Sequence, residues 1–200
     1  SDIYILSLQS KNKKPVLVTK HKGDVSHQVF SFTPDSQSLI YGTNEYGEFT
    51  QAWAYDIGKN KSSLYYKRDW NIEYVRFSEK GNFRAVGVNE DAQTRVIVHD
   101  LRKDEEVDLG VNGSVISVKF SPSEERVAFY VRTDTSPKNL YVSKIGAKSP
   151  KRLTSSLAPE INEKDLVESE VVRFKSFDGL EIPSLLFKPH VANANNKVPA

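Results

Sequence analysis

Phe30-Ser31-Phe32-Thr33-Pro34-Asp35, Val75-Arg76-Phe77-Ser78-Glu79-Lys80 and Val118-Lys119-Phe120-Ser121-Pro122-Ser123 are three versions of one phrase. Each is an apolar-x-Phe strand signal closed by a Ser or Thr turn. Their Phe residues stand 45 and 43 positions apart. A second phrase keeps the same step: Ala52-Trp53-Ala54-Tyr55-Asp56-Ile57, Val96-Ile97-Val98-His99-Asp100-Leu101 and Leu140-Tyr141-Val142-Ser143-Lys144-Ile145. Asp56, Asp100 and Lys144 are spaced 44 and 44 apart. Two independent markers that share one period define an internal repeat. The opening Ile3-Tyr4-Ile5-Leu6-Ser7-Leu8 reads as the same strand of an earlier, incomplete unit.

Each unit holds four short strands rich in Val, Ile, Phe and Tyr, with apolar and polar residues alternating. In the first full unit the expected strands are Val29–Phe32, Ser38–Thr43, Thr50–Tyr55 and Ser63–Tyr66. Between them lie Thr33-Pro34-Asp35, Asn44-Glu45-Tyr46-Gly47 and Gly58-Lys59-Asn60. Pro presets φ for a turn, while Gly and Asn tolerate positive φ. Four antiparallel strands recurring every 40–50 residues or so make a β-propeller blade. One such sheet cannot bury both faces alone, so blades stack. The Phe of the apolar-x-Phe strand is expected between neighbouring blades. One partial and three whole blades make an open arc, which predicts an exposed face and poor solubility.

The repeat stops at Arg152-Leu153-Thr154. A linker with room for one helical turn follows, and then Glu170-Val171-Val172-Arg173-Phe174-Lys175-Ser176-Phe177-Asp178-Gly179-Leu180-Glu181-Ile182-Pro183-Ser184-Leu185-Leu186-Phe187-Lys188-Pro189. Asp-Gly between two β-rich runs is a hairpin signal, predicting strands Glu170–Ser176 and Leu180–Phe187. Pro183 marks an edge strand. Residues 191–197 read as a polar loop, and Val198-Pro199-Ala200 as the approach to a further strand.

The chain has no Cys, which excludes disulfides, thiolate metal sites and a Cys nucleophile and fits a reducing compartment. It has no Met either, as expected of a processed or excised chain. The net charge of +2 does not suggest a nucleic-acid surface. Lys11, Lys13, Lys14, Lys20 and Lys22 read as a solvated loop rather than an anion contact. No apolar run reaches the roughly 20 residues of a membrane-spanning helix, and no signal-peptide pattern is visible. His21, His27, His99 and His190 show no metal-ligand spacing. His99 and Asp100, adjacent on a strand, point to opposite faces and cannot pair as base and orienter. Ser121 reads as a turn former. Glu105-Glu106 and Glu124-Glu125 invite comparison with the amino-terminus-binding glutamates of dipeptidyl peptidases, and are expected instead to be solvated turn residues.

A propeller followed at once by Phe174-Lys175-Ser176-Phe177-Asp178-Gly179-Leu180-Glu181-Ile182-Pro183 and Phe187-Lys188-Pro189 resembles the prolyl oligopeptidase family of serine peptidases, in particular its acylaminoacyl-peptidase-like and dipeptidyl-peptidase-like members. The blades are generic; the hairpin is the specific part. The resemblance implies a mainly β chain in which a partial β-propeller of four-stranded antiparallel blades leads into the first strands of an α/β-hydrolase domain. The boundaries are then 1–154 for the propeller, 155–168 for a linker or hinge, and 169–200 for the truncated start of the hydrolase domain. The family's His-Gly-Gly loop and Gly-x-Ser-x-Gly elbow do not occur here. No catalytic, cofactor-binding or metal-binding residue is therefore nominated, no cofactor is expected, and the 200-residue chain alone is expected to be inactive. The intact parent would hydrolyse short peptides by Ser–His–Asp acyl transfer, with the propeller as a substrate-gating cap. Peptide substrates are the expected partners, with no nucleic acid and no membrane; homo-oligomerisation stays open, and the expected location is cytoplasmic. Two alternatives remain: a TolB- or WD-like propeller that binds proteins without catalysis, and an esterase on the same architecture.

Overall fold

The computed structural model describes residues 1–198 apart from Ser10, Asn12 and Ala92. The expected continuation at Val198-Pro199-Ala200 therefore lies largely outside the described residues. The opening unit keeps only β1 (Tyr4–Ile5) and β2 (Val16–Leu17), an antiparallel pair. Three four-stranded sheets follow. The first is β3 (His27–Phe32), β4 (Ser38–Thr43), β5 (Gln51–Asp56) and β6 (Lys61–Tyr66). The second is β7 (Asn71–Phe77), β8 (Phe83–Glu90), β9 (Gln93–Asp100) and β10 (Glu105–Glu106). The third is β11 (Ser114–Phe120), β12 (Arg126–Arg132), β13 (Asn139–Lys144) and β14 (Lys151–Arg152). Each sheet pairs its strands in chain order, all antiparallel, as a propeller blade does. A single 3-10 turn at Glu163–Asp165, capped by the Asn162 side chain, precedes the hairpin β15 (Ser169–Lys175) and β16 (Glu181–Phe187).

The blades stack through three apolar clusters. Ile3 meets Leu39, Tyr41 and Tyr55 between the partial unit and the first full sheet. Ile40 and Ala52 meet Ile72, Val75, Val86 and Val88 one step on. Ala85 and Val98 meet Val115, Val118, Val127 and Phe129 at the last joint. The second strand of a covered blade is thus buried on both sides. Leu39–Thr43 is buried at every position, and Ala85–Val88 likewise. The alternation expected from sequence gives way there to a continuous apolar run, as for any strand sandwiched between two layers. On β12 the alternation is clean: Val127, Phe129 and Val131 are buried while Arg126, Tyr130 and Arg132 are exposed. One face of that sheet is covered and the other is open.

The repeated Phe behaves as expected where a preceding blade is complete. Phe120 stacks on Phe83 with ring centres 5.7 Å apart, and Phe77 meets Tyr65 edge-on at 6.2 Å. Phe32 is half exposed, because the unit before it is reduced to two short strands. The first strand of every full blade also carries one β-bulge, at Val29/Ser31, Ile72/Tyr74 and Val115/Ser117. A bulge bends and twists its strand, and here it recurs with the repeat.

The turns joining first and second strands share one geometry. The amides of Ser36, Gly81 and Glu124 donate to the carbonyls of Thr33, Ser78 and Ser121. All three residues have φ between 58 and 77°. At Gly81 a Cβ would stand 2.7 Å from Pro34 Cγ of the preceding blade, so the turns lie against one another.

Candidate functional site

His21 and His27 adjoin, while His99 and His190 stand apart. His27 is buried; its Nδ1 donates to the Ser1 carbonyl at 2.8 Å, and its Nε2 lies 3.6 Å from Glu45. His21 sits beside it, with ring centres 4.8 Å apart and Asp2 at 3.3 Å. His99 meets Asp104 at 3.0 Å, and His190 meets the Leu166 carbonyl at 3.0 Å. Asp100 turns the other way from His99 and receives Arg102 at 2.7 Å, an ion pair that holds its carboxyl below the usual range. Among the described residues no three His, Asp or Glu side chains are grouped to hold a metal ion. Ser121 serves its turn, accepting from the Arg126 amide at 3.1 Å. Lys11, Lys13, Lys14, Lys20 and Lys22 are all exposed.

Glu105, Glu106 and Glu125 are solvated as expected, but two points about the glutamate pairs need correction. Glu105 and Glu106 form the short fourth strand of the second blade, paired with Asp100 and His99. Glu124 is buried, with 8% of its surface accessible. It reaches into the preceding blade's turn, accepting from the Lys80 amide at 2.8 Å and from Asn82 Nδ2 at 2.5 Å. Burial alone would raise its carboxyl. The Ser78 and Asn82 side chains and the Lys80 amide outweigh burial and hold it below the usual glutamate range. The residue is a joint between blades rather than a ligand for an amino terminus.

The most organised polar site lies where the hairpin meets the second and third blades. Asp91 follows β8 and Asp134 follows β12, at equivalent repeat positions 43 residues apart. Both hold β15. The Ser169 amide donates to Asp134 Oδ2 at 2.9 Å, and its hydroxyl donates to the same oxygen. Those bonds, hydroxyl first, keep the Asp134 carboxyl below its ordinary value. Arg173 pairs with Asp91 and lies 3.3 Å from Glu181 across the hairpin. Ser169, Val171 and Arg173 alternate along one strand and so share one face. Val171, between the two polar anchors, lines a cleft of about 630 Å³ with Asp91, Arg95, Val107, Asp108 and Val115. A smaller cavity of about 260 Å³ lies beneath Ser169, beside Asp134, Arg132 and Ser114. Four residues of extended strand span about 13 Å, and that reach connects the corresponding loops of two adjacent blades. This arrangement positions a strand: the Ser169 hydroxyl donates to Asp134, and among the described residues no histidine bonds to it.

The hairpin turn is built from Ser176 to Leu180. The Ser176 amide donates to the Leu180 carbonyl at 2.8 Å, and Gly179, with φ 85°, donates to the Ser176 carbonyl at 3.0 Å. This is a type I turn closed by a left-handed Gly, the three-residue form of the connection. Pro183 stands opposite Arg173, and among the described residues β16 pairs with β15 alone.

No family model and no curated protein matches the sequence. Solved structures do match its fold. One, from a structural and mechanistic study of two prolyl endopeptidases and the role of inter-domain dynamics in their catalysis and specificity, aligns with a TM-score of 0.68 at 17% identity. It covers 91% of this chain and 26% of its own. Another, prolyl oligopeptidase B from Galerina marginata bound to a 35mer hydrolysis and macrocyclization substrate, aligns with a TM-score of 0.68 at 12% identity over the same shares. This chain therefore spans about a quarter of the length of these proteins. At such identities the likeness speaks for the fold: the chain folds as a propeller portion of the prolyl oligopeptidase type.

Proposed function

We propose that the chain is the part of a prolyl oligopeptidase-type serine peptidase where the propeller hands over to the catalytic domain, the propeller acting as a cap that gates entry of short peptides. The observation that carries this reading is the strapping of an Asp-Gly hairpin across two blades by Asp91 and Asp134. A strand anchored at two equivalent blade loops suits a fixed seam between domains. In this reading residues 1–154 are propeller, 155–168 form the hinge, and the hairpin from residue 169 opens an α/β-hydrolase domain. The triad and oxyanion donors belong to sequence beyond this chain, so the 200-residue protein has no turnover of its own. Peptides are the substrates of the whole enzyme, and a cytoplasmic location goes with the same proposal. Among the described residues no helix is long and apolar enough to cross a membrane.

The test compares this chain with the longer polypeptide encoded at its locus. Both are treated with a fluorophosphonate serine probe and a panel of fluorogenic di- to octapeptides and ester substrates. The longer protein should label and cleave peptides in preference to esters, and the 200-residue chain should do neither. A longer protein that cleaves nothing and takes no label would end the peptidase reading. Preference for esters would redirect it to an esterase.

A further inference from the structure

The chain leaves the third blade and returns to it at one turn. That turn, between β12 and β13, is braced from within. Thr133 and Ser136 exchange backbone bonds at 3.1 and 3.4 Å. Asn139 Nδ2 donates to Ser136 Oγ at 2.9 Å and to the Pro137 carbonyl at 2.8 Å. Asn139 is 2% exposed, and its Oδ1 takes the outgoing chain, accepting from the Thr154 hydroxyl at 3.2 Å and the Ser156 amide at 2.9 Å. Both donors and both acceptor sites of that side-chain amide are then in use. Five positions earlier, Asp134 takes the incoming chain through the Ser169 amide and hydroxyl. The twelve residues between these fixed points, 157–168, form a loop whose two ends are held at the same place, as in an Ω-loop.

Little else holds the loop. Ala158 to Asp165 are exposed at every position. The backbone bonds are local: the amides of Ile161, Asp165 and Leu166 donate to the carbonyls of Ala158, Asn162 and Glu163. At its far end, His190 Nε2, on the tail of the hairpin, donates to the Leu166 carbonyl at 3.0 Å. Ser156 therefore goes with the blade and Leu166 with the hairpin. The nine residues between them, 157–165, could reach about 30 Å if drawn out. The hairpin itself is lightly fastened. Its strands pair with each other. Among the described residues, its polar bonds to the blades run only from Ser169 to Asp134 and from Arg173 to Asp91.

We propose that residues 157–165 are a slack tether and that Asp134 and Asp91 form a clasp, so that the hairpin lifts off the blades by releasing these two carboxylates while the blades stay folded. The two fastenings act in parallel. The tether is covalent and loose; the clasp is polar and directional. Either one keeps the hairpin with the blades, and loss of both frees it. The inference rests on the hinge proposed above and narrows it to nine residues. Its test reads attachment rather than turnover, so it and the peptidase reading fail separately.

Amide hydrogen exchange in the 200-residue protein tests the clasp. A two-stranded hairpin is marginal on its own, so lifting shows as faster exchange along β15 and β16. Asp134→Ala should speed that exchange about tenfold, the size of effect expected for losing hydrogen bonds to a charged group. Asp134→Asn keeps one neutral acceptor and should fall between. Asp134→Ala with Asp91→Ala should be faster still, with β12 and β13 unchanged throughout. The tether is tested by replacing residues 158–165 with the recognition sequence of a site-specific protease and cutting the folded protein. The cut protein should run as one species in gel filtration. Cut protein carrying both Asp→Ala changes should shed its carboxyl-terminal piece. The proposal is overturned if the cut alone releases that piece, if the doubly substituted cut protein retains it, or if Asp134→Ala leaves β15 exchange unchanged. Equal acceleration of β12, β13 and β15 would also overturn it, since Asp134 would then be supporting its own blade.

Discussion

Removal of the Glu124 carboxylate should cost the protein more than any other single change in its turns. Glu124 occupies a left-handed position, φ 61°, where a non-glycine residue is disfavoured by about 1–2 kcal/mol. Its carboxylate compensates by binding the Lys80 amide and Asn82 Nδ2 of the preceding blade. Hydrogen bonds to a charged group contribute about 1.5–3 kcal/mol each. Glu124→Ala leaves both donors without their acceptor, and water replaces part of what is lost, so the expected destabilisation is about 2–4 kcal/mol. Glu124→Gln retains one acceptor and should cost about half as much. Urea unfolding followed through Trp53 and Trp70 reads both values. The pH dependence follows from the lowered carboxyl. Its stabilisation is complete above the ordinary glutamate value of 4.5 and is lost as pH falls through the lower folded value. The gap between wild type and Glu124→Gln should therefore be constant from pH 7 to about 5 and narrow below that. A Glu124→Ala protein within about 0.5 kcal/mol of wild type, the range of an ordinary surface change, would refute the joint. So would a gap that stays flat as the pH falls through the acid range.

Three further outcomes test other parts of the structure. Phe129, 1% exposed at the last blade joint, should cost about 3–5 kcal/mol when truncated to Ala, read by the same unfolding assay. The buried Tyr74 hydroxyl has no hydrogen-bond partner among the described residues, and burial pushes its ionisation up to about 12; Tyr74→Phe should be neutral or stabilising by up to about 1 kcal/mol, and should leave the phenolate absorbance below pH 11 unchanged. Arg173→Gln should speed amide exchange in residues 170–175 while leaving β7–β9 unchanged; the pair is partly exposed, so the effect corresponds to about 1 kcal/mol or less and shrinks with salt.

The blades were legible in the sequence because their markers are backbone requirements. A Ser or Thr turn after an apolar-x-Phe strand keeps its identity through each unit, and Ser38–Thr43 falls where it was expected. The fourth strands were harder to read: Glu105–Glu106 and Lys151–Arg152 are two residues long and polar, and only pairing with a neighbour defines them. Burial of Glu124 was invisible for a different reason. Its partners lie 44 and 42 residues upstream, in another blade's turn, so no local pattern announces them. Asp91 and Asp134 did leave a signal, two Asp residues in matching loops one repeat apart. Its meaning depends on a strand that arrives later in the chain. Strict alternation was a sound guide for β12 and a poor one for β4, because alternation records which faces meet water.

Two of the bonds between blades, Ser31 to Val75 and Lys80 to Glu124, join residues 44 positions apart. Donor and acceptor thus sit within one residue of the length of the unit itself. A gene that gained or lost one whole unit would keep this spacing at each junction, even though the bonding residues differ (Glu124 at one junction, Gly81 against Pro34 at the other), whereas an insertion of a few codons would shift it. Arrays of this kind can lengthen by duplication in a single step, and drift in unit length is what their junctions resist.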